Sequence, residues 1–156
     1  MLIGYLRVNP TDACTLPRVI KKEMHPLEED QVSAFLKEVQ GNPHEYLYKI
    51  ALFTGLREGE VLGLGWEHID LENGILTVKR QLRKEQKKGG QYYFSLPKNN
   101  RARSISLAPS VVLLFRLQKL SQNSIRMEAG DAWQENGLVF SNQTGGYLSY
   151  RTVYDC

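Results

Sequence analysis

The sequence predicts an α+β fold that is mainly helical, with a small, curled antiparallel sheet of three or four strands. Apolar residues recur at helical spacing over residues 26–56 and again over 108–127. Between these segments apolar and polar residues alternate, and this stretch contains Asn73-Gly74, a strong signal for a tight hairpin. With 156 residues and 42% hydrophobic content, the chain is long enough for one ordinary domain with a hydrophobic core.

Three helices account for the helical pattern. The first is predicted over residues 26–41 as an amphipathic helix, and its first turn is acidic, as the helix dipole favours. The second is predicted from Pro43 to Leu56, because proline is well suited to the first helical position. A third helix opens at Ala108-Pro109-Ser110 and runs to about Met127, with a wide apolar face typical of a core helix.

The strands are predicted from alternation and from turn residues. Residues 69–71 and 75–78 flank the Asn73-Gly74 turn, and strand-like alternation continues to about Leu82. It resumes at Tyr92-Tyr93-Phe94, of which we expect at least one ring to be part of the core. A last strand covers residues 104–107, with Ile105 and Leu107 on one face.

The run TGLREGEVLGLGW, residues 54–66, contains the first candidate site. Glycine favours the left-handed conformation that ends a helix, so the second helix should stop at Gly55 and place Arg57 at a tight corner. Glu60 follows three residues later, on the same helical face as Arg57. A guanidinium held in this way can bind a phosphate or a carboxylate through two parallel hydrogen bonds. The alternative is an ordinary surface ion pair worth about 0–1 kcal/mol.

Positive charge is concentrated in the strand region. Between Lys79 and Arg103 the chain has nine basic residues against Glu85 alone, a net charge of +8, while the remainder carries 11 basic and 16 acidic residues, or −5. Such a patch is typical of a surface that binds phosphate, although a solvated run of charge is the common alternative. The predicted DNA-binding residues are Lys79, Arg80, Arg83, Lys84, Lys87, Lys88, Arg101 and Arg103.

The turn LPKNNRARSISL, residues 96–107, is the second candidate site. It places Lys98 between two strands, with Arg101 and Arg103 close by, and a basic hairpin of this kind can reach into a groove of duplex DNA. A basic loop without a specific partner is the alternative.

Other classes of protein have little support in the sequence. No stretch approaches the roughly twenty apolar residues of a membrane span, and the N-terminus lacks the pattern of a signal peptide, so we expect a soluble, cytoplasmic protein. Cys14 and Cys156 have no His or Cys neighbour at the spacing of metal ligands. No Gly-rich phosphate loop or Ser-His-Asp set is present, and we expect no metal, no cofactor and no small-molecule substrate.

Three segments resemble the phage-integrase family of tyrosine recombinases. TGLREGEVLGLGWEHID resembles the family's first arginine box, with His68 where Asp is frequent, and PKNNRARSISL resembles its lysine turn. GLVFSNQTGG resembles the later segment that contains Leu-Val-Phe and a glycine. The resemblance implies that Arg57 is the first of two arginines that clamp the scissile phosphate, that Glu60 supports it, and that Lys98 protonates the leaving 5′ oxygen.

The resemblance also predicts a domain organisation. Residues 1–24, with the segment YLRVNPTDACTLPRV, resemble the end of a core-binding domain and its linker, and residues 25–156 the first part of the catalytic domain. None of the three histidines begins an H-x-x-R box, so we expect this box and the nucleophilic tyrosine beyond Cys156 and predict that the chain alone is inactive. The complete protein would cut and rejoin duplex DNA through a 3′-phosphotyrosyl link, together with other recombinase protomers.

Two alternatives remain open at this point. The first alternative to an enzyme fragment is an inactive DNA-binding or regulatory remnant of such an integrase, and the second is a protein-interaction module with an incidental basic patch. An H-x-x-R box and a tyrosine in the continuing reading frame would favour the enzyme over the remnant. Salt-dependent binding of duplex DNA would argue against the interaction module.

Overall fold

Two helices form the first part of the structure. The computed structural model describes residues 14, 25–87, 89–98 and 101–154. Helix α1 covers Glu29–Glu38 and helix α2 covers Glu45–Thr54, both shorter than predicted. Helix α1 begins later than Pro26 because the Glu28 N–H donates to Oε1 of Gln31, 3.0 Å away, and thereby caps its first turn. The predicted linker lies outside the described residues except for Cys14.

Helix α2 ends where the sequence predicts. Gly55 has a φ of 63°, in the left-handed region, and its N–H donates to the carbonyl of Ala51 at 3.0 Å. The chain then turns directly into a short helix α3, Glu58–Leu62. Leu47 and Ile50 of α2 and Val61 and Leu62 of α3 are buried in one hydrophobic core. Packing in this core therefore holds one helix on each side of the corner that contains Arg57.

Among the described residues, five short strands form two antiparallel sheets. The strands are β1 (Ile69–Asp70), β2 (Ile75–Val78), β3 (Gln81–Lys84), β4 (Tyr92–Ser95) and β5 (Arg103–Ser106). One sheet has the order β1-β2-β5, and the other pairs β3 with β4. The hairpin at Asn73-Gly74 is confirmed, since Ile69 pairs with Leu76 and Gly74 has a φ of 64°.

The sequence predicts a single sheet of three or four strands, whereas the described strands form two sheets. The strand ladder is interrupted at Lys79-Arg80, where the Nε of Arg80 donates to the carbonyl of Gly63 at 2.9 Å. The chain therefore leaves β2 and starts a separate hairpin on α3. Tyr92 packs against the core, as expected for one of the three rings, while Tyr93 and Phe94 are partly exposed.

The long helix α4, Pro109–Ala129, and the short helix α5, Tyr150–Tyr154, complete the fold. Phe115 of α4 is fully buried and lies edge-on to Trp66, with ring centroids 6.5 Å apart. Gln122 accepts a hydrogen bond from Nε1 of Trp66 at 2.7 Å and donates to the carbonyl of Leu138 at 2.8 Å. The α+β class is confirmed. None of the described helices is both long and apolar enough to cross a lipid bilayer.

A glycine near the C-terminal end offers a test of packing. Gly145 has a φ of 78°, and a Cβ at this position would lie against the backbone oxygen of Gln134 and 2.9 Å from the ring of Trp133. Gly137 has a φ of 63°, and its added Cβ would meet open space. We expect Gly137→Ala to cost about 1 kcal/mol for backbone strain, and Gly145→Ala about 2 kcal/mol more for the clash.

Urea denaturation of the two glycine variants measures this difference. Equal losses of stability would mean that the chain near Gly145 relaxes away from Gln134 and Trp133 at no cost.

Candidate functional site

Arg57 lies at the corner between α2 and α3 in extended conformation, with φ −69° and ψ 151°, and it is the residue that precedes the first turn of α3. Its N–H donates to Oε2 of Glu60 at 2.9 Å, and its Nη1 lies 3.4 Å from Oε1 of the same carboxylate. The side chain of Arg57 is 58% exposed. The backbone is therefore held by Glu60 while most of the guanidinium faces solvent. This arrangement agrees with the pairing that the spacing of the two residues predicts.

Glu60 is the centre of the site. Its side chain is 1% exposed, and both of its oxygens are engaged by a residue that sequence analysis assigned to DNA contact. Arg103, the first residue of β5, donates from Nη1 to Oε1 and from Nη2 to Oε2, each at 2.7 Å. Two short parallel bonds of this kind are the strongest geometry available to an arginine and a carboxylate. The site is thus a cluster of Arg57, Glu60 and Arg103, which we call the corner cluster.

The ionisation of the cluster follows from these contacts. The hydrogen bonds from Arg103 are the largest influence on Glu60, and they lower its pKa although burial acts in the opposite direction. The Arg57 N–H and both positive charges add to this lowering. Conversely, Glu60 raises the pKa of Arg103. Glu60 is therefore a carboxylate at neutral pH, and the cluster contains two positive charges and one negative charge.

The position of Arg103 could have been found in the sequence. Alternation along the last strand places Ile105 and Leu107 on one face, and the same period places Arg103 on that face as well. Arg103 and Ile105 are in fact half-buried, while Ser104 and Ser106 are exposed. A basic residue on an inward face predicts a buried carboxylate as its partner.

Lys98 lies on the connection between β4 and β5. At the beginning of this connection, Nε2 of Gln81 donates to the carbonyl of Leu96 at 2.6 Å, and Pro97 is buried. At its end Arg103 is bound to Glu60. Lys98 and Arg101 are both exposed between these two anchors. Of the three predicted catalytic residues, Arg57 and Glu60 are in direct contact, and Lys98 belongs to the connection that leads to Arg103.

The other predicted DNA-binding residues divide into two groups. Arg80 is directed into the protein, because it binds the Gly63 carbonyl, pairs with Glu67 at 3.3 Å and lies 4.1 Å from the ring centre of Phe94. Lys87 pairs with Glu85 at 2.9 Å. The exposed group consists of Lys79, Arg83, Lys84 and Lys87, and Lys88 lies outside the described residues.

One large groove among the described residues does not include the corner cluster. It has a volume of about 820 Å³ and lies between α2, α4 and the loop around Asn142, with Leu47, Phe140 and Leu148 in its wall. A phosphate backbone is bound by exposed cations at a surface and does not require such a groove. Among the described residues, no group of three or more His, Cys, Asp and Glu side chains could hold a metal ion.

The sequence of the chain is similar to that of known proteins over most of its length. The sequence model described as "Phage integrase family" matches residues 25–156. The chain is 27% identical over 164 residues to a "Tyrosine recombinase XerC-like" protein of Caldanaerobacter subterraneus, a match that covers 93% of this chain and 41% of the relative. It is 32% identical over 79 residues to the prophage integrase IntR of Escherichia coli, covering 51% of this chain and 19% of the relative.

Solved structures extend the similarity to the fold. The integrase of transposon Tn1549, in complex with transposon right-end DNA, matches with a TM-score of 0.64 and 28% identity over 83% of this chain and 41% of that one. The site-specific recombinase XerH bound to its difH substrate matches with a TM-score of 0.51 and 25% identity, over 83% of this chain and 33% of that one. The chain spans less than half the length of each of these proteins.

Proposed function

Because the chain belongs to the phage integrase family, we propose that it forms part of a site-specific recombinase, which cuts and rejoins duplex DNA through a 3′-phosphotyrosyl link. The tyrosine recombinase relative and the integrase structures with bound DNA support this proposal. The predicted assembly with other protomers and the predicted cytoplasmic location are part of it. On this proposal the chain supplies a portion of the site that holds the phosphate.

The observation that carries the proposal is the exposed guanidinium of Arg57 above a buried carboxylate. Glu60 fixes the backbone of Arg57 at 2.9 Å, and the cluster retains one positive charge that no carboxylate of the cluster neutralises. A cation at a fixed backbone position binds the non-bridging oxygens of a phosphodiester at a lower ordering cost than a cation on an unrestrained loop. The charge that develops on these oxygens during phosphoryl transfer would be stabilised in the same way.

The exposed basic residues give the proposed contact with the DNA backbone. Lys98 and Arg101 lie on the connection to β5, and Arg83 and Lys84 lie on β3. Within this proposal Lys98 is the group that donates a proton to the leaving 5′ oxygen, since an exposed ammonium can approach an oxygen at the edge of the bound duplex.

Salt titration of duplex binding tests the proposal. With about four or five phosphate contacts, we expect log K to fall with log salt at a slope of about −4. The double variant Arg83→Gln/Lys84→Gln should reduce this slope by about 2. As a control, Lys119→Gln, on α4, should leave the slope unchanged. Absence of binding at about 50 mM salt would contradict the proposal and favour a protein-interaction module.

A further inference from the structure

Glu60 binds its two arginines unequally. Arg103 contacts both carboxylate oxygens at 2.7 Å, whereas the guanidinium of Arg57 reaches one oxygen at 3.4 Å. Bond length and the number of bonds both indicate that Arg103 is the principal counter-ion of Glu60. Arg57 is bound mainly through its backbone N–H.

This inequality determines which charge remains available. One carboxylate neutralises one guanidinium, and Arg103 is the guanidinium that Glu60 neutralises at close range. The positive charge of Arg57 is therefore not neutralised at close range, and 58% of its side chain is exposed. Without Arg103, the nearly fully buried Glu60 would have Arg57 as its remaining charged neighbour in the cluster, and a buried carboxylate strongly attracts such a partner.

We propose that Arg103 is a positioning residue, which occupies Glu60 so that Arg57 stays free to bind a phosphate. The inference rests on the proposed function and replaces the sequence-based assignment of Arg103 to direct DNA contact. Arg103 lies on β5 and Glu60 on α3, so the bond between them also links the sheet to the helix that follows Arg57.

Removal of Glu60's charge provides the decisive comparison. We expect Arg103→Gln and Arg57→Gln each to weaken duplex binding by roughly ten-fold, about the effect of one lost charge-assisted contact. The double variant Glu60→Gln/Arg103→Gln should recover to within about three-fold of Glu60→Gln alone, because a neutral side chain no longer draws Arg57 away. Arg101→Gln is the matched control, since a direct phosphate contact should be lost in both backgrounds.

A pH series separates positioning from a purely structural role. In Arg103→Gln the largest cause of the lowered pKa of Glu60 is absent, while burial, which raises it, remains. Acidification from about pH 7.5 to about pH 5.5 should then protonate a larger fraction of Glu60 than in the wild type and raise the affinity relative to the wild type at each pH. In the wild type Glu60 stays ionised over this range. A variant that is weak only because its fold is loosened would not regain affinity on acidification.

The outcomes distinguish the two proposals. If Arg57→Gln weakens binding but Arg103→Gln does not, or if Glu60→Gln fails to rescue Arg103→Gln, the positioning role is refuted and the proposed function stands. If Arg57→Gln has no effect on duplex binding, the proposed function of the corner cluster fails as well. Circular dichroism of every variant at the assay temperature establishes that the folded protein is compared.

Discussion

Replacement of Arg57 by lysine is expected to lower DNA cleavage by at least about 100-fold, although the positive charge is kept. Lysine presents a single ammonium and cannot form the two parallel bonds by which a guanidinium holds two phosphate oxygens. It also cannot keep the contact between Nη1 and Oε1 of Glu60. The measurement is the rate of strand cleavage by the recombinase of which we propose that this chain is a part.

Arg83→Lys provides the control for Arg57→Lys. Arg83 is exposed on β3, where a lysine can serve as an equivalent point charge towards a phosphate. Cleavage should therefore change by less than about three-fold. If Arg57→Lys cleaves DNA as fast as the wild type, Arg57 does not clamp the reacting phosphate.

Replacement of Phe115 by alanine is expected to lower the free energy of unfolding by about 3–5 kcal/mol. Phe115 is fully buried on α4, and its ring lies edge-on to Trp66. Trp66 is the last residue of the segment 54–66, which contains Arg57. Removal of the ring leaves a cavity between α4 and this segment. Urea denaturation monitored by the fluorescence of the two tryptophans measures the loss.

Leu113→Ala is the matched control on the same helix. Leu113 is 55% exposed, so its truncation should cost less than about 1 kcal/mol. Equal losses for the two variants would contradict the packing of α4 against Trp66.

The corner of Arg57 could be predicted from the sequence because its determinants are local. Gly55 ends α2, and the three-residue spacing of Arg57 and Glu60 brings their side chains together within one turn. The hairpin at Asn73-Gly74 was predicted for the same reason, since its turn consists of consecutive residues, 71–74, between the paired Asp70 and Ile75.

Contacts between distant residues were missed. Arg103 meets Glu60 across 43 residues of sequence, and charge alone classed it with the exposed basic residues. The contact of Arg80 was missed in the same way, because nothing near it in the sequence indicates that it would bind the carbonyl of Gly63. The strand ladder is interrupted at the same residue, between β2 of one sheet and β3 of the other. A basic residue at an inward strand position is the signal that should direct attention to a buried acid.

The most direct test is the structure of this chain bound to duplex DNA, with attention to the corner cluster. The account predicts the Arg57 guanidinium within about 3 Å of two oxygens of one phosphodiester, while Arg103 keeps both of its bonds to Glu60. A complex in which Arg103 leaves Glu60 to bind the DNA, or in which Arg57 turns away from the phosphate backbone, would contradict it.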